Sequence, residues 1–98
     1  MATHPGLREE KVGTVTDYYA KIGVAAISLT DGALEVGDQI RIHGHTTDFT
    51  QPVDSLQIEH RPVQRAERGS QVAVRVRERV RRHDEVLRLT GLTGSVKG

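Results

Sequence analysis

The chain has 98 residues, which fits one domain with a modest core. It contains no cysteine, so disulfides, thiolate zinc sites and thiol catalysis are excluded. Its net charge is +1, but residues 1–50 carry four Lys/Arg against seven Asp/Glu and residues 51–98 carry ten against six, so the basic excess lies C-terminal. No segment is apolar enough to cross a bilayer, and the polar N-terminus does not resemble a signal peptide. We therefore expect a cytoplasmic protein with no membrane partner.

Hydrophobic patterning predicts β-strands throughout, at residues 11–19, 22–29, 39–43, 49–60, 71–76 and 85–89. Ile40 and Ile42 alternate with polar neighbours, as do Val72, Val74 and Val76, so these five residues are expected to face the core. Residues 63–68 have the charge pattern of a short helical turn. Residues 1–10 read as a flexible N-terminal arm and residues 90–98, rich in Gly and Ser, as a flexible C-terminal tail.

Six short strands separated by frequent turns are typical of a sandwich or barrel. Closure removes exposed strand edges, which favours a barrel in so short a chain. The prediction is an all-β domain over residues 11–89, a closed six-stranded Greek-key β-barrel.

Four motifs occur in order along this domain: Gly-Thr-Val-Thr at 13–16, Gly-Ala-Leu-Glu-Val-Gly-Asp at 32–38, Val-Asp-Ser-Leu-Gln-Ile at 53–58 and Ala-Glu-Arg-Gly-Ser-Gln-Val at 66–72. The first begins a predicted strand, and the second and fourth are turns that mark strand entries. Their order resembles the second, β-barrel domain of elongation factor Tu and related translational GTPases. The chain has no phosphate-binding Gly-x-x-x-x-Gly-Lys-Ser/Thr loop, so no GTPase activity is expected. The segment 43–51 departs from the elongation factor pattern and resembles free-standing translation elongation factor-like proteins, which are the barrel without a GTPase and imply a fold but no activity. Relatives of the barrel contact tRNA or ribosomal RNA, so the wider resemblance implies an RNA partner.

A cluster of arginines begins in the fifth predicted strand and continues beyond it. Guanidinium groups suit phosphate contacts, and alternate residues of an extended strand share a face. We therefore assign RNA or ribonucleoprotein binding to a basic strand face formed by Arg75, Arg77, Arg79, Arg81 and Arg82. A solvated face neutralised by nearby acidic residues is the alternative.

The polar segment 43–51 is predicted to be a partner-recognition loop, because polar loops on rigid scaffolds often carry function. Its candidate residues are His43, His45, Thr46, Thr47, Asp48 and Gln51. The two histidines with Asp48 also leave open a metal site, and a turn whose polar side chains satisfy their own backbone is the structural alternative.

Tyr18 and Tyr19 place two of the three aromatic residues at one hairpin. Either ring can anchor a partner, or one can cap the core while the other stays half-exposed.

No set of nucleophile, base and orienting group is evident, so no catalytic residue, cofactor or small-molecule substrate is expected. The sequence thus predicts a non-catalytic RNA-binding module, with a protein–protein adaptor and a metal-binding histidine loop as alternatives.

Overall fold

The computed structural model describes residues 7–91, which form ten strands and no helix, and hence no helix able to cross a membrane. The strands are β1 (Leu7–Tyr19), β2 (Val24–Ser28), β3 (Leu34–Glu35), β4 (Gln39–His43), β5 (Asp48–Pro52), β6 (Leu56–Ile58), β7 (Arg61–Pro62), β8 (Arg65–Ala66), β9 (Gln71–Arg75) and β10 (Glu85–Gly91). The predicted all-β class is confirmed.

Eight strands form one antiparallel sheet in the order β5-β4-β10-β1-β2-β9-β6-β7, and β3 pairs with β8 in a second, two-stranded sheet. The predicted closed six-stranded barrel is not found: within residues 7–91 no backbone ladder joins β5 to β7, the two edges of the large sheet. The pattern missed the two-residue strands β3, β7 and β8, because two residues are too few to show a period of two. The single strand predicted at 49–60 is two strands, β5 and β6. The segment predicted as a helical turn instead contributes β8, which pairs with β3.

Strand β1 is long because it pairs on both sides. Its first half pairs with β10 and its second half with β2, with register shifts between Lys11 and Gly13 and between Val15 and Asp17. Such bulges bend a strand and increase its twist. Residues 7–10 of the predicted arm lie in this strand and residues 90–91 of the predicted tail lie in β10, because each supplies the other with backbone partners. The remainder of the arm and tail lies outside the described residues.

One aliphatic core unites the strands. Ile40 and Ile42 of β4, Val72 and Val74 of β9 and Val76 just beyond it are buried, as their alternation predicts. The other buried apolar residues of the described chain come from six further strands and three loops: Val12, Val15, Ala25, Ile27, Leu29, Leu34, Val53, Leu56, Ala66, Val80 and Val86.

A buried glutamine joins β5 to the end of β9. Gln51 is only 2 % exposed, and its side-chain amide donates to the carbonyl oxygen of Arg75 at 2.9 Å while its Oε1 accepts from the N–H of Arg77 at 2.8 Å. Its amide also lies 3.1 Å from the carbonyl oxygen of Pro52. One side chain therefore satisfies backbone groups at the point where β9 stops pairing, and it holds an edge strand against the other side of the core.

An ion-pair network crosses the outer surface of β1, β4 and β5. Arg41 donates to both carboxylate oxygens of Asp48, at 2.7 and 2.8 Å, and to Glu9 at 2.8 Å. The hydrogen bonds from Arg41 hold the pKa of Asp48 below its usual value, and Asp48 followed by Glu9 raises the pKa of Arg41. The bidentate geometry ties the edge strand β5 to its neighbour.

We predict that Gln51→Leu destabilises the domain by about 2–4 kcal/mol, because the Arg75 carbonyl and the Arg77 N–H lose their partners in a dry environment. Urea unfolding monitored by far-UV circular dichroism measures the loss. The matched control is Gln39→Leu at an exposed position of β4, where a change within about 0.5 kcal/mol is expected. Equal stability of the two variants would show that the Gln51 bridge is not structural.

We predict that Asp48→Asn lowers stability at neutral pH and that its difference from the unaltered protein shrinks as the pH falls below about 4. The folded-state pKa of Asp48 is depressed, so its contribution is present above the unfolded-state pKa and is lost as the pH falls through the folded-state value. Unfolding free energies at several pH values measure this, with Glu78→Gln as an exposed control. A difference that stays constant with pH would contradict the assignment.

Candidate functional site

The outer face of β1, β2, β9 and β6 carries a shallow depression with a floor of small side chains. Ala26 of β2 is paired with Ala73 of β9, which is paired in turn with Gln57 of β6. Ala25, Ile27, Val72 and Val74, the sequence neighbours of the two alanines, are buried, so Ala26 and Ala73 point outward. Two methyl groups aligned across adjacent strands leave a low region in the sheet surface. Its volume is about 470 Å³.

Tyr19 and Ile22 form one wall of the depression. Their side chains are 47 % and 62 % exposed and are the large apolar residues left uncovered in residues 7–91. The β1–β2 turn presents them: the N–H groups of Ile22 and Gly23 donate to the Tyr19 carbonyl at 3.2 and 2.9 Å, and Gly23 has a φ of +65°. Tyr18 packs against the core instead, so this hairpin has one structural ring and one available ring.

Glu59 and His60 form the opposite wall, and their backbone is unusual. They are the two-residue loop between β6 and β7, with φ values of +51° and +66°. Two successive positive φ angles define a type I′ turn, which strongly favours Asn-Gly. Non-glycine residues in this region cost about 1–3 kcal/mol each and tend to occur where a site needs them. The hairpin thus keeps two strained polar residues beside an apolar surface.

The arginines predicted to share a strand face do not share one. All five are exposed, but β9 ends at Arg75, and Arg77, Arg79, Arg81 and Arg82 lie in the following loop. At this point the Gln51 side chain bonds the Arg75 carbonyl and the Arg77 N–H. Arg77 pairs with Asp54 at 3.0 Å and Arg82 lies 3.8 Å from Asp17.

The residues of the predicted recognition loop fall into a structural group and an exposed group. Thr47 and Gln51 are buried, and Asp48 is held by Arg41, so these three residues have structural positions. His43, His45 and Thr46 are exposed and remain candidates for contact with a partner. Within residues 7–91 no three His, Asp or Glu side chains are arranged to hold a metal ion.

Sequence reasoning missed Ile22, Ala26, Glu59, His60 and Ala73 as members of one surface. One outward-facing alanine in each of two predicted strands does not by itself indicate a surface depression. Their alignment depends on the registers between β2, β9 and β6, which local sequence does not specify.

No protein-family model matches the chain. Among curated proteins, it is 35 % identical over 78 residues to a collagenase of Porphyromonas gingivalis, covering 79 % of this chain and 22 % of that protein. It is 39 % identical over 80 residues to an uncharacterized protease of Methanocaldococcus jannaschii, covering 81 % of this chain and 19 % of that protein. The chain therefore spans about a fifth of the length of the curated relatives it matches.

Among solved structures, the chain is similar to the C-terminal domain of a Geobacillus thermoleovorans protein assigned to the U32 peptidases. One crystal structure of that domain matches with a TM-score of 0.72 at 18 % identity, over 93 % of this chain and 97 % of the domain. Its selenomethionine variant matches with a TM-score of 0.74 at 21 % identity, over 81 % and 98 % respectively. The two folds agree over nearly the whole of the solved domain.

These similarities overturn the resemblance to elongation factor Tu and the RNA-binding translation module that it implied. The relatives are named as a collagenase and a protease, and the fold is similar to that of the C-terminal domain of a protein assigned to the U32 peptidases. Two of the motifs that suggested translation factors lie at turns: Gly37 has a φ of +99° and Gly69 a φ of +97°, and the Asp38 carboxylate accepts from the Glu35 N–H at 2.9 Å. Such turns recur in unrelated β-proteins because they meet a local steric requirement.

Proposed function

We propose that this chain is a peptidase-associated domain of the U32 type, which binds polypeptide substrate and does not cleave it. The observation that carries the proposal is the fold match to a peptidase C-terminal domain over nearly the full length of that domain. The sequence similarity to two proteins named as proteases supports the same association.

The chain matches only a small part of each curated relative, and this supports a non-catalytic role. About four-fifths of each curated relative lies outside the matched region and is available to carry catalytic residues.

Two of the buried polar side chains in the described part of the chain also have structural partners. Gln51 bonds the backbone of Arg75 and Arg77, and the Asp84 carboxylate accepts from the Arg81 N–H at 2.9 Å.

The depression beside Tyr19 suits an extended polypeptide. Proline-rich chains in the polyproline II conformation dock into shallow grooves lined by aromatic and apolar side chains, and they lose little entropy on binding. Tyr19 and Ile22 supply the apolar wall, and the alanine floor lets a backbone approach the sheet. Because the Porphyromonas gingivalis relative is named collagenase, we propose unfolded collagen, which is rich in glycine and proline, as the ligand class.

We predict that the chain binds gelatin and that Tyr19→Ser and Ile22→Ser each weaken the binding at least about fivefold, because each removes an exposed apolar anchor of the wall. Biolayer interferometry on immobilised gelatin measures the affinity. The control Gln39→Ser, on β4 and outside the depression, is expected to bind normally. Normal binding by the Tyr19 and Ile22 variants would remove the depression as the site, and release of gelatin fragments by the purified chain would contradict the non-catalytic role.

We predict that the double variant Glu59→Asn, His60→Gly is more stable by about 1–2 kcal/mol but binds gelatin more weakly. Asn-Gly fits the positive φ angles of the β6–β7 turn, while the change removes two side chains from the wall of the depression. Urea unfolding and the same gelatin assay report the two effects separately. A variant that gains stability with unchanged affinity would show that this hairpin does not contact the ligand.

A further inference from the structure

The depression beside Tyr19 has three sides of different chemistry. Its floor is the paired residues Ala26 and Ala73, which present only methyl groups. One wall is apolar and is formed by Tyr19 and Ile22, and the other is polar and is formed by the Glu59–His60 turn. A ligand that contacts all three sides has to present a small group, an apolar group and a polar group in three directions.

A polypeptide in the polyproline II conformation has the matching symmetry. It has three residues per turn, so every third residue projects in the same direction and the chain presents three rows of side chains. In a Gly-X-Y repeat one row is glycine, and Y is often hydroxyproline, written Hyp below. With proline at X, the three rows are small, apolar and hydroxylated. An unfolded chain of this kind therefore carries the three chemistries of the depression on three separate faces.

The polar wall has the groups that a hydroxyl needs. A hydroxyl donates one hydrogen bond and accepts others, so it is satisfied by an acceptor and a donor placed close together. The Glu59 carboxylate is an acceptor, and the His60 ring has an N–H donor in both its neutral and its protonated form. Both residues are exposed, and within residues 7–91 their side chains make no hydrogen bond or ion pair. Their hydrogen-bonding capacity is therefore available to a ligand.

The β6–β7 turn holds this acceptor and this donor next to each other. Glu59 and His60 are its two central residues, and both have positive φ. Asn-Gly is the pair that suits such a turn, but glycine has no side chain and asparagine a shorter one. Glu and His at these positions cost backbone strain and place two long polar groups at the edge of an apolar depression.

Two glutamines supply donors for the backbone of the bound chain. Gln57 is paired with Ala73, and Gln71 lies two residues before Ala73 on the same face of β9. Both line the depression, are exposed, and form no side-chain hydrogen bond to another residue of the described range. A polyproline II chain has no internal hydrogen bonds, and proline has a carbonyl group but no N–H. A proline-rich chain that loses water at the alanine floor therefore needs donors above all, and the two carboxamides provide them.

We propose that the depression recognises a single unfolded chain of Gly-Pro-Hyp repeats by its three rows of side chains. Glycine faces Ala26 and Ala73, proline packs on Tyr19 and Ile22, and the hydroxyl of Hyp bonds the Glu59–His60 turn. This inference rests on the proposed function, because it names the part of the collagen sequence that the same depression binds. It makes the hydroxyl a determinant of specificity, since proline in place of Hyp leaves two polar groups facing an apolar ring.

The test is fluorescence anisotropy of three labelled peptides, made of Gly-Pro-Hyp, Gly-Pro-Pro or Ala-Pro-Hyp repeats and short enough that circular dichroism shows single chains. The Gly-Pro-Hyp peptide is expected to bind at least about fivefold more tightly than Gly-Pro-Pro, because only it bonds a charged acceptor. The Ala-Pro-Hyp peptide is expected to bind at least about tenfold more weakly than Gly-Pro-Hyp, because a methyl group in the glycine row collides with the floor. Equal affinity for the first two peptides overturns the role of the hydroxyl, and equal affinity for the first and third overturns the orientation of the chain.

Variants of the polar wall locate the hydroxyl contact. Glu59→Leu and His60→Phe keep a large side chain but remove the acceptor or the donor. Each is expected to reduce the preference for Gly-Pro-Hyp over Gly-Pro-Pro to less than about twofold without weakening the binding of Gly-Pro-Pro. The matched controls Glu78→Leu and His45→Phe, outside the depression, are expected to keep the full preference, and Tyr19→Ser to weaken both peptides equally. A preference that persists in both polar-wall variants overturns the assignment.

Gelatin binding separates this inference from the proposed function on which it rests. If the unaltered chain binds gelatin but does not prefer the Gly-Pro-Hyp peptide, the proposed function stands and the inference is wrong. If it binds neither gelatin nor any of the peptides, both are wrong.

Discussion

The buried amide of Gln51 is the contact on which the arrangement of the strands depends. It lies in β5, an edge of the large sheet, and bonds the backbone at the end of β9, which is far away in the sheet order. The same core contains Ile40 and Ile42 of β4 together with Val74 of β9, so the sheet curves until these strands face one another. A ladder of backbone hydrogen bonds does not complete the circuit in the described residues. One polar side chain takes its place, with donors and acceptors satisfied on both sides.

The chain beyond this contact forms part of the surface of the domain. Because β9 stops at Arg75, the arginine-rich segment leaves the sheet and crosses toward β10 as a loop. Its end, at residues 81–84, comes to lie beside the β4–β5 loop through the contact of Gly44 with Asp84. Arginines and histidines that are far apart in the sequence therefore form one face. The depression beside Tyr19 lies on different strands and is a separate surface.

Backbone strain occurs at both surfaces. In the described part of the chain the non-glycine residues with positive φ are Glu59, His60 and His83, and each one lines a surface depression. Glycine or asparagine at these positions would favour the fold, so the larger polar side chains reduce stability where they are placed. A trade of stability for surface chemistry is a common property of binding sites.

Much of the fold was predictable from local pattern. The alternation of Ile40 with Ile42 and of Val72 with Val74 placed β4 and β9 and oriented them correctly, because side chains of a strand point alternately to its two faces. Residues 7–10 were assigned to an arm, since their charged composition hides a pairing that only β10 reveals. The family was wrongly inferred from turn motifs, because a Gly-Asp turn reflects a local steric requirement and carries little information on ancestry.

The sequence by itself therefore determined an all-β domain, its aliphatic core residues and the absence of thiol chemistry. These follow from composition and from a period of two, which are local properties. Only the tertiary structure decided which strands are neighbours, that Gln51 is buried while Tyr19 is exposed, and that His45 and His83 share a surface. Those features depend on register and on contacts between residues distant in the chain, which no short window of sequence contains.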